Sequence, residues 1–301
     1  MRTLAHAAVW RRPSRPFGAA RTCGPVAGGP YARIVLTKTP PSGFDVRPFP
    51  RSRRIIVDGG RASAKRHAMI GLVEFDVTEA RERIREHERV TGQRISFTAF
   101  IVACVARAVA AEPSVHAYRD LRDRLVVFRD VDVSVSVETR LQEASFPLSH
   151  VIRAANERSV VDIHREIRAV QRDPTRSPSA QLIGPGKVFV RLPGFARAGL
   201  QRLVHRLPQV QRSIEGTVGV TSVGMFGAGG GWGFPLLIHS LNVVVGGIAE
   251  RPAYVDGELV PREFVDLTLS FDHDVVDGGP AARFTAKLRE LIETADGLPK
   301  G

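Results

Sequence analysis

The sequence predicts an α/β protein with one folded domain over residues 53–297. Several segments alternate apolar and polar residues with a period of two, which is typical of half-buried strands. Other segments repeat apolar residues at helical spacing, and the two kinds do not alternate strictly as in a doubly wound sheet. Residues 1–50 hold eight of the 20 prolines and show no hydrophobic period. We therefore expect residues 1–52 to be a disordered segment.

Six segments show the strand pattern, bounded by turn residues. They are residues 70–77, 124–138 (one long strand or a pair), 187–192, 216–226, 236–250 and 262–274. The glycine-rich segment 227–233 after the fourth of them is predicted to be a flexible loop.

Five segments show the helical pattern. They are residues 79–92, 97–112, 158–173, 195–210 and a last helix that Pro280 opens. Thr78 and Ser96 are placed to cap the first two, Gly92 ends the first, and Pro113 stops the second.

The fourth helix is basic and amphipathic. Such a face can contact a membrane or an acidic partner, but more often it packs as a surface helix. We expect its apolar residues to pack on the domain; they are Phe195, Leu200, Leu203 and Leu207.

The charge distribution argues against nucleic-acid binding by the domain. The net charge is +12, and residues 1–66 hold 14 Arg and Lys against two acids, so the remainder is neutral. No apolar run approaches the roughly 20 residues that span a bilayer, so no membrane association is expected. With only Cys23 and Cys104, a disulfide framework is excluded, which favours a reduced, cytoplasmic location.

The segment LSFDHDVVDGGPAARFTAKL, residues 269–288, holds the most chemistry. Asp272, His273, Asp274 and Asp277 offer oxygen and nitrogen donors close together. In an extended strand, however, Asp272 and Asp274 point away from His273. One His and one Asp on a common face are too few for a zinc or two-metal site, so we predict no metal.

Acid–base chemistry suits the same segment better. A histidine at a strand end places its ring at the mouth of a cleft, and Asp277 can return across the Gly278–Gly279 turn to fix the loop or the tautomer. From the residues alone, a histidine that merely caps the strand is slightly favoured over a catalytic one.

Three blocks of sequence resemble one family. His273-x-x-x-Asp277-Gly278 matches the H-x-x-x-D-G signature that chloramphenicol acetyltransferase shares with the dihydrolipoyl acyltransferases of 2-oxoacid dehydrogenase complexes. Residues 216–227 (GTVGVTSVGMFG) resemble the G-T-F-T-I-S-N-L-G-M-F-G block of these acyltransferases. Residues 73–113 are similar to their D-V-T and L-S-F helices. The resemblance covers residues 53 to 295, in order.

The resemblance implies a chloramphenicol acetyltransferase-like mixed sheet flanked by helices. It also implies acyl transfer between coenzyme A and a thiol, with His273 as general base. A free thiol near pKa 8.5 is mostly protonated at neutral pH, and an imidazole near pKa 6.5 is suited to accept its proton. Thr221 falls where the family has the serine that donates to the oxyanion. Asp277 would orient the loop through an arginine, for which Arg53 or Arg54 is expected.

The resemblance further implies a homotrimer, with His273 from one chain and Thr221 from its neighbour at each site. The sequence shows no lipoyl domain or subunit-binding module, so any lipoyl group is expected in trans, from a lipoyl-domain protein or dehydrogenase complex. Two alternatives stay open: acyl transfer to a small amine or hydroxyl, and a non-catalytic trimeric subunit. The second rests on Asp274, which stands where the family has arginine and would weaken a nearby base.

Overall fold

A six-stranded mixed sheet is the centre of the folded unit Phe49–Gly301. The computed structural model describes residues 45–50, 53–141, 144–178, 189, 191–223 and 229–299. The disordered segment predicted at 1–52 therefore lies almost wholly outside the described residues, and of the other unit, Met1–Pro48, only residues 45–48 are described.

The strands and helices follow the predicted mixture. The strands are β1 (Ala68–Asp76), β2 (Tyr118–Arg119), β3 (Leu125–Val126), β4 (Val133–Leu141), β5 (Ala144–Ile152), β6 (Val218–Ser222), β7 (Leu241–Val255) and β8 (Glu258–Asp272). The helices are α1 (Arg53–Ser63), α2 (Thr78–Thr91), α3 (Phe97–Ala111), α4 (Val160–Arg172), α5 (Gly194–His205), α6 (Pro208–Glu215) and α7 (Gly278–Glu293). Short 3₁₀ turns occur at Pro113–His116, Ala155–Glu157 and Pro174–Arg176.

The large sheet has the order β1-β8-β7-β6-β4-β5, and β2 and β3 pair separately. β6 runs parallel to both β4 and β7, whereas the other pairs are antiparallel. The two long strands β7 and β8 form a hairpin whose turn, Asp256–Gly257, has positive φ at both residues. The mixed sheet with flanking helices confirms the predicted fold class.

Strand alternation divides the sheet into an apolar and a polar face. On β8, the side chains on one face belong to the hydrophobic core with α3 and α7; they are Val265, Leu267, Leu269 and Phe271. The intervening residues, Asp266, Thr268, Ser270 and Asp272, are also buried but polar. The second face of β8 is therefore lined by polar side chains.

The predicted helix caps are wrong in detail. Val77 is the N-cap of α2, and the Thr78 amide donates to the Asp76 carboxylate at 2.9 Å while the Thr78 hydroxyl accepts from the Glu263 amide at 2.8 Å. Ser96 makes no side-chain cap, and its amide donates to Nδ1 of His164 at 3.0 Å. Ser96 is therefore the N-cap residue of α3 as predicted, but without a side-chain capping bond. Gly92 and Pro113 end their helices as predicted.

The packing predicted for the basic helix is also wrong. In α5, Phe195 is 82% exposed, and Leu200 and Leu203 are each close to half exposed. The buried residue is Arg197, which donates to Asp58 of α1 at 2.6 Å. An ion pair, not an apolar stripe, fixes this helix. Half of the strand expected at 187–192 lies outside the described residues, and Phe189 and Arg191 within it are helical.

The glycine-rich loop is held to the sheet wherever it is described. The Gly247 amide donates to the Gly231 carbonyl at 2.9 Å, and a β-carbon on Gly246 would lie 2.0 Å from the same oxygen. Only glycine fits where the backbones approach this closely. The flexibility predicted for 227–233 is therefore wrong for residues 229–233, and residues 227–228 lie outside the described part.

Among the helices that the structure describes, none combines the length and apolar character needed to cross a bilayer.

Candidate active site

The candidate site is built on the histidine turn, which we define as Asp272–Asp277 between β8 and α7. The amide of His273 donates to the His67 carbonyl at 2.7 Å, and the amides of Val275 and Val276 both donate to the Asp272 carbonyl. Val276 is fully buried in the core. The backbone that carries His273 is therefore anchored on both sides.

The His273 ring itself is accessible. Its side chain is 51% exposed, and that of Asp277 is 88% exposed. Nδ1 of His273 lies 3.8 Å from Oδ1 of Asp277, which is an ionic contact but too long for a hydrogen bond. Within the described part of the chain, neither ring nitrogen is hydrogen bonded. The structure brings these two predicted site residues together and leaves the ring free to accept a proton.

Among the described residues, Asp277 makes no ion pair with Arg53 or Arg54. The expected ion pair with an arginine is therefore not formed within one chain. Arg53 and Arg54 begin α1, and Asp277 precedes α7 as its N-cap residue. Its carboxylate makes no side-chain cap there and stays near His273.

The two neighbouring aspartates are held by residues that precede β1. Arg66 donates to Asp272 at 3.0 Å, and both side chains are largely buried. Asp274 bonds Nδ1 of His67 at 2.7 Å, and this contact raises the pKa of His67 above its ordinary value. Asp274 thus faces His67 and makes no ion pair with His273 in the part described. The carboxylate expected to weaken the base is directed elsewhere.

Arg66 and His67 also belong to this site, although they were not among the predicted site residues. No local motif marks them. They reach the turn because β1 pairs antiparallel with β8, with Ala68 opposite Asp272.

Thr221 lies far from His273 within one chain. It is half-buried near the end of β6, and its register partner is Val244 of β7, which in turn is opposite Thr268 of β8. His273 follows Thr268 by five residues, and β8 lies two strands across the sheet from β6. Strand geometry therefore separates Thr221 and His273 by roughly 20 Å. One copy of the chain does not unite the predicted donor and base.

A second histidine cluster has the composition of a nucleophilic triad but not its accessibility. His150 Nδ1 lies 3.1 Å from the Ser177 hydroxyl, and its Nε2 lies 2.8 Å from Glu166. Ser177 is fully buried, so no substrate carbonyl reaches its oxygen. Among the described residues, no group of three His, Cys, Asp or Glu side chains is arranged to hold a metal ion.

Comparison with known sequences finds one family. The model of the 2-oxoacid dehydrogenases acyltransferase (catalytic domain) matches residues 42–177 and 205–298. The acetyltransferase component of the pyruvate dehydrogenase complex of Mycoplasma capricolum is 24% identical over 86% of this chain and 52% of its own length. The lipoamide acyltransferase component of the branched-chain alpha-keto acid dehydrogenase complex of Pseudomonas aeruginosa is 30% identical over 73% and 45%. The chain spans about half the length of these curated relatives.

Solved structures share the fold. The cubic core of the pyruvate dehydrogenase multienzyme complex superposes with a TM-score of 0.63 at 18% identity, covering 91% of this chain and 98% of that one. A truncated catalytic core of the 2-oxoacid dehydrogenase multienzyme complex from Thermoplasma acidophilum gives 0.61 at 21% identity, covering 84% and 100%. The family match spans most of the chain and includes the histidine turn. The chain belongs to the 2-oxoacid dehydrogenases acyltransferase (catalytic domain) family.

Proposed function

We propose that this chain transfers an acyl group between the thioester of coenzyme A and the thiol of a dihydrolipoyl group. The single observation that supports it most is the His273 ring, which is free to move a proton while its backbone is fixed. Family membership supports the acyl-transfer class, since the relatives carry acyltransferase names.

In the proposed reaction, Nε2 of His273 takes the thiol proton as sulfur attacks the thioester carbonyl. Asp277 faces Nδ1 and orients the ring for this transfer. The new carbon–sulfur bond forms as the carbonyl electron pair moves to oxygen. When the tetrahedral intermediate collapses, the carbon–sulfur bond to the departing thiol breaks, and the imidazolium returns its proton to that sulfur.

The oxyanion requires a hydrogen-bond donor, which we assign to the Thr221 hydroxyl. Such a donor contributes roughly 3–4 kcal/mol to lowering the barrier. Because Thr221 is roughly 20 Å from His273 in one chain by strand geometry, the proposal requires two copies, with the base from one and the donor from the other.

Exposed apolar residues support contact between copies. The strand register places Leu72 of β1 on the same face of the sheet as Thr221. Leu72 is 49% exposed, and Ile70 is 46% exposed. Phe234, in the segment that follows the glycine-rich loop, is 68% exposed. Clustered exposed apolar residues mark association surfaces. We propose a homotrimer with each site at a subunit boundary.

The acyl-exchange assay tests the function. Acetyl-, propionyl- and branched acyl-coenzyme A are supplied with free dihydrolipoamide, and thioester formation on the lipoyl thiol is measured. We expect turnover with at least one donor. A lipoyl-domain protein or a dehydrogenase complex is the partner that would present the lipoyl group in the cell.

The alternatives predict different results in the same assay. An enzyme that acylates a small amine or hydroxyl would leave dihydrolipoamide unacylated and would release coenzyme A only when such an acceptor is added. A non-catalytic subunit would form stable trimers and show no turnover with any donor. The presence of Asp274 was the reason to consider a non-catalytic subunit. That reason loses force because the Asp274 carboxylate is hydrogen bonded to His67.

A further inference from the structure

A cavity of about 330 Å³ lies beside the histidine turn. Its walls come from α1, α5, β2 and the turn itself, where Asp272, Asp274 and Val275 line it. This volume is at the lower end of the range for small-molecule sites. The cavity is adjacent to His273 along the chain, but the ring of His273 does not line it.

The walls carry an excess of positive charge. Their cationic residues are Arg61, Lys65, Arg66, Arg119, Arg202 and Arg206. Three aspartates also line the cavity: Asp58, Asp272 and Asp274. Six positive against three negative groups leave a surplus of three positive charges. Burial lowers the pKa of His205, so this wall residue adds no charge at neutral pH.

Each acidic residue of the cavity already has a close cationic partner. Asp58 binds Arg197 at 2.6 Å, and its contact with Arg61 is much longer, at 3.9 Å. Asp272 binds Arg66, and Asp274 binds His67. In the part of the chain that the structure describes, Lys65 and Arg202 form no ion pair. These two side chains are available to a ligand.

Part of the cavity lies outside the residues that the family model matches. The family model leaves residues 178–204 unmatched, and this interval holds most of α5, including Arg202. The buried pair Arg197–Asp58 fixes α5 against α1, with both side chains under 10% exposed. This part of the wall is therefore held in place by a buried ion pair, and breaking such a pair is costly.

We propose that this cavity is a phosphate-binding site whose wall is formed in part by α5. Guanidinium groups bind phosphate oxygens through paired N–H donors, and lysine supplies a compact charge. The ligand is a phosphorylated small molecule: either the nucleotide end of the acyl-thioester or a free phosphorylated metabolite. Only the assignment to the thioester rests on the proposed function.

Calorimetric titration of the full chain tests the proposal with coenzyme A, 3′-dephospho-coenzyme A and inorganic pyrophosphate. The variant Lys65→Gln/Arg202→Gln removes both available charges, and Arg168→Gln on the exposed face of α4 is the matched control. Both residues of the double variant are exposed, so it should keep the wild-type melting temperature.

We expect coenzyme A to bind in a salt-sensitive manner and the double variant to bind it roughly 10- to 100-fold more weakly, with the control unchanged. If the substrate is the source of the phosphate, 3′-dephospho-coenzyme A loses affinity for wild type and is insensitive to the double variant. If a free metabolite is the source, pyrophosphate binding depends on Lys65 and Arg202 while coenzyme A binding does not.

Unchanged affinities of all three ligands in the double variant, or no binding of any to wild type, would overturn the proposal. A different result would contradict the proposed function: the protein would bind phosphate through Lys65 and Arg202 but would not transfer acyl groups. Conversely, acyl transfer that is indifferent to these residues, with no phosphate binding, removes this inference and leaves the function in place.

Discussion

His116 and His273 carry the same side chain in opposite surroundings. His116 is fully buried, with Nε2 at 3.1 Å from the Phe128 carbonyl and Nδ1 at 3.2 Å from the Thr217 hydroxyl. Burial lowers its pKa to about 4. His273 is half-exposed, and its ring makes no hydrogen bond within the described residues. The fold uses both nitrogens of the first ring and leaves those of the second free.

The contrast separates structural histidines from a reactive one. His239 resembles His116, since its ring nitrogens lie 2.9 Å from the Glu215 carbonyl and 3.2 Å from the Asn242 amide oxygen. A ring with a partner at both nitrogens leaves neither nitrogen open to a thiol. His273 combines a free ring with a fixed backbone, which is what a general base requires.

Replacing the free ring should have the largest effect. We expect His273→Ala to lower kcat/KM for acyl exchange roughly 100- to 10,000-fold, because the thiol loses its proton acceptor. The melting temperature should stay near that of wild type, since the half-exposed ring supports no described hydrogen bond. His87→Ala on α2 is the matched control. Unchanged kcat/KM in His273→Ala would refute the role of this ring.

Removing the oxyanion donor should come next. We expect Thr221→Val to lower kcat roughly 100- to 1,000-fold, and Thr221→Ser to retain activity because it keeps the hydroxyl. Steady-state kinetics measure both.

Mixing subunits extends this test to the subunit boundary. When His273→Ala and Thr221→Val chains are refolded together, a mixed assembly regains sites that combine an intact His273 with an intact Thr221. Activity should therefore rise above that of either variant alone. If it does not, each site lies within one chain or does not use both residues.

The buried ring should control stability instead of activity. His116 has a folded pKa near 4 and an unfolded pKa near 6.5, so the unfolded state binds the proton first as pH falls. Its stabilising contribution is complete above about pH 6.5 and is lost between about pH 6.5 and 4. The shift corresponds to roughly 3 kcal/mol.

Urea denaturation at several pH values measures this contribution. Wild type should lose free energy of unfolding more steeply than His116→Gln as the pH falls through that window. His87→Gln should follow wild type. Parallel acid limbs for wild type and His116→Gln would show that this burial does not govern acid stability.

The smallest effect is expected at Asp274. Its bond to His67 raises the pKa of that ring, so Asp274→Asn should return the pKa toward the ordinary value, as nuclear magnetic resonance titration would show. Any stability that the pair adds is present below the unfolded pKa of His67 and is lost as the pH rises through its folded pKa.

Acyl exchange should change less than about threefold in Asp274→Asn, because Asp274 faces His67. A severalfold gain in activity would mean that Asp274 acts on His273 after all and weakens the base.

Local patterns were sufficient for much of this fold. The alternation in β8 and the apolar stripe of α7 both depend on neighbours within one or two turns of chain, and both are confirmed. The pairing of His273 with Asp277 could also be predicted, since a tight turn brings residues four apart together. The cap at Thr78 failed because its hydroxyl accepts from the Glu263 amide of β8, whereas Ser96 is the N-cap residue of α3 without a side-chain capping bond.

The sequence by itself determined the strand–turn–helix that presents His273, because backbone periodicity and turn chemistry are short-range. Only the tertiary structure decided which residues surround it. Asp274 bonds a histidine 207 positions away, and Arg197 is buried on Asp58, 139 positions away. These pairs follow from strand register and helix docking, which no local pattern encodes. The same register places Thr221 out of reach of His273, so the proposed site depends on a second copy of the chain.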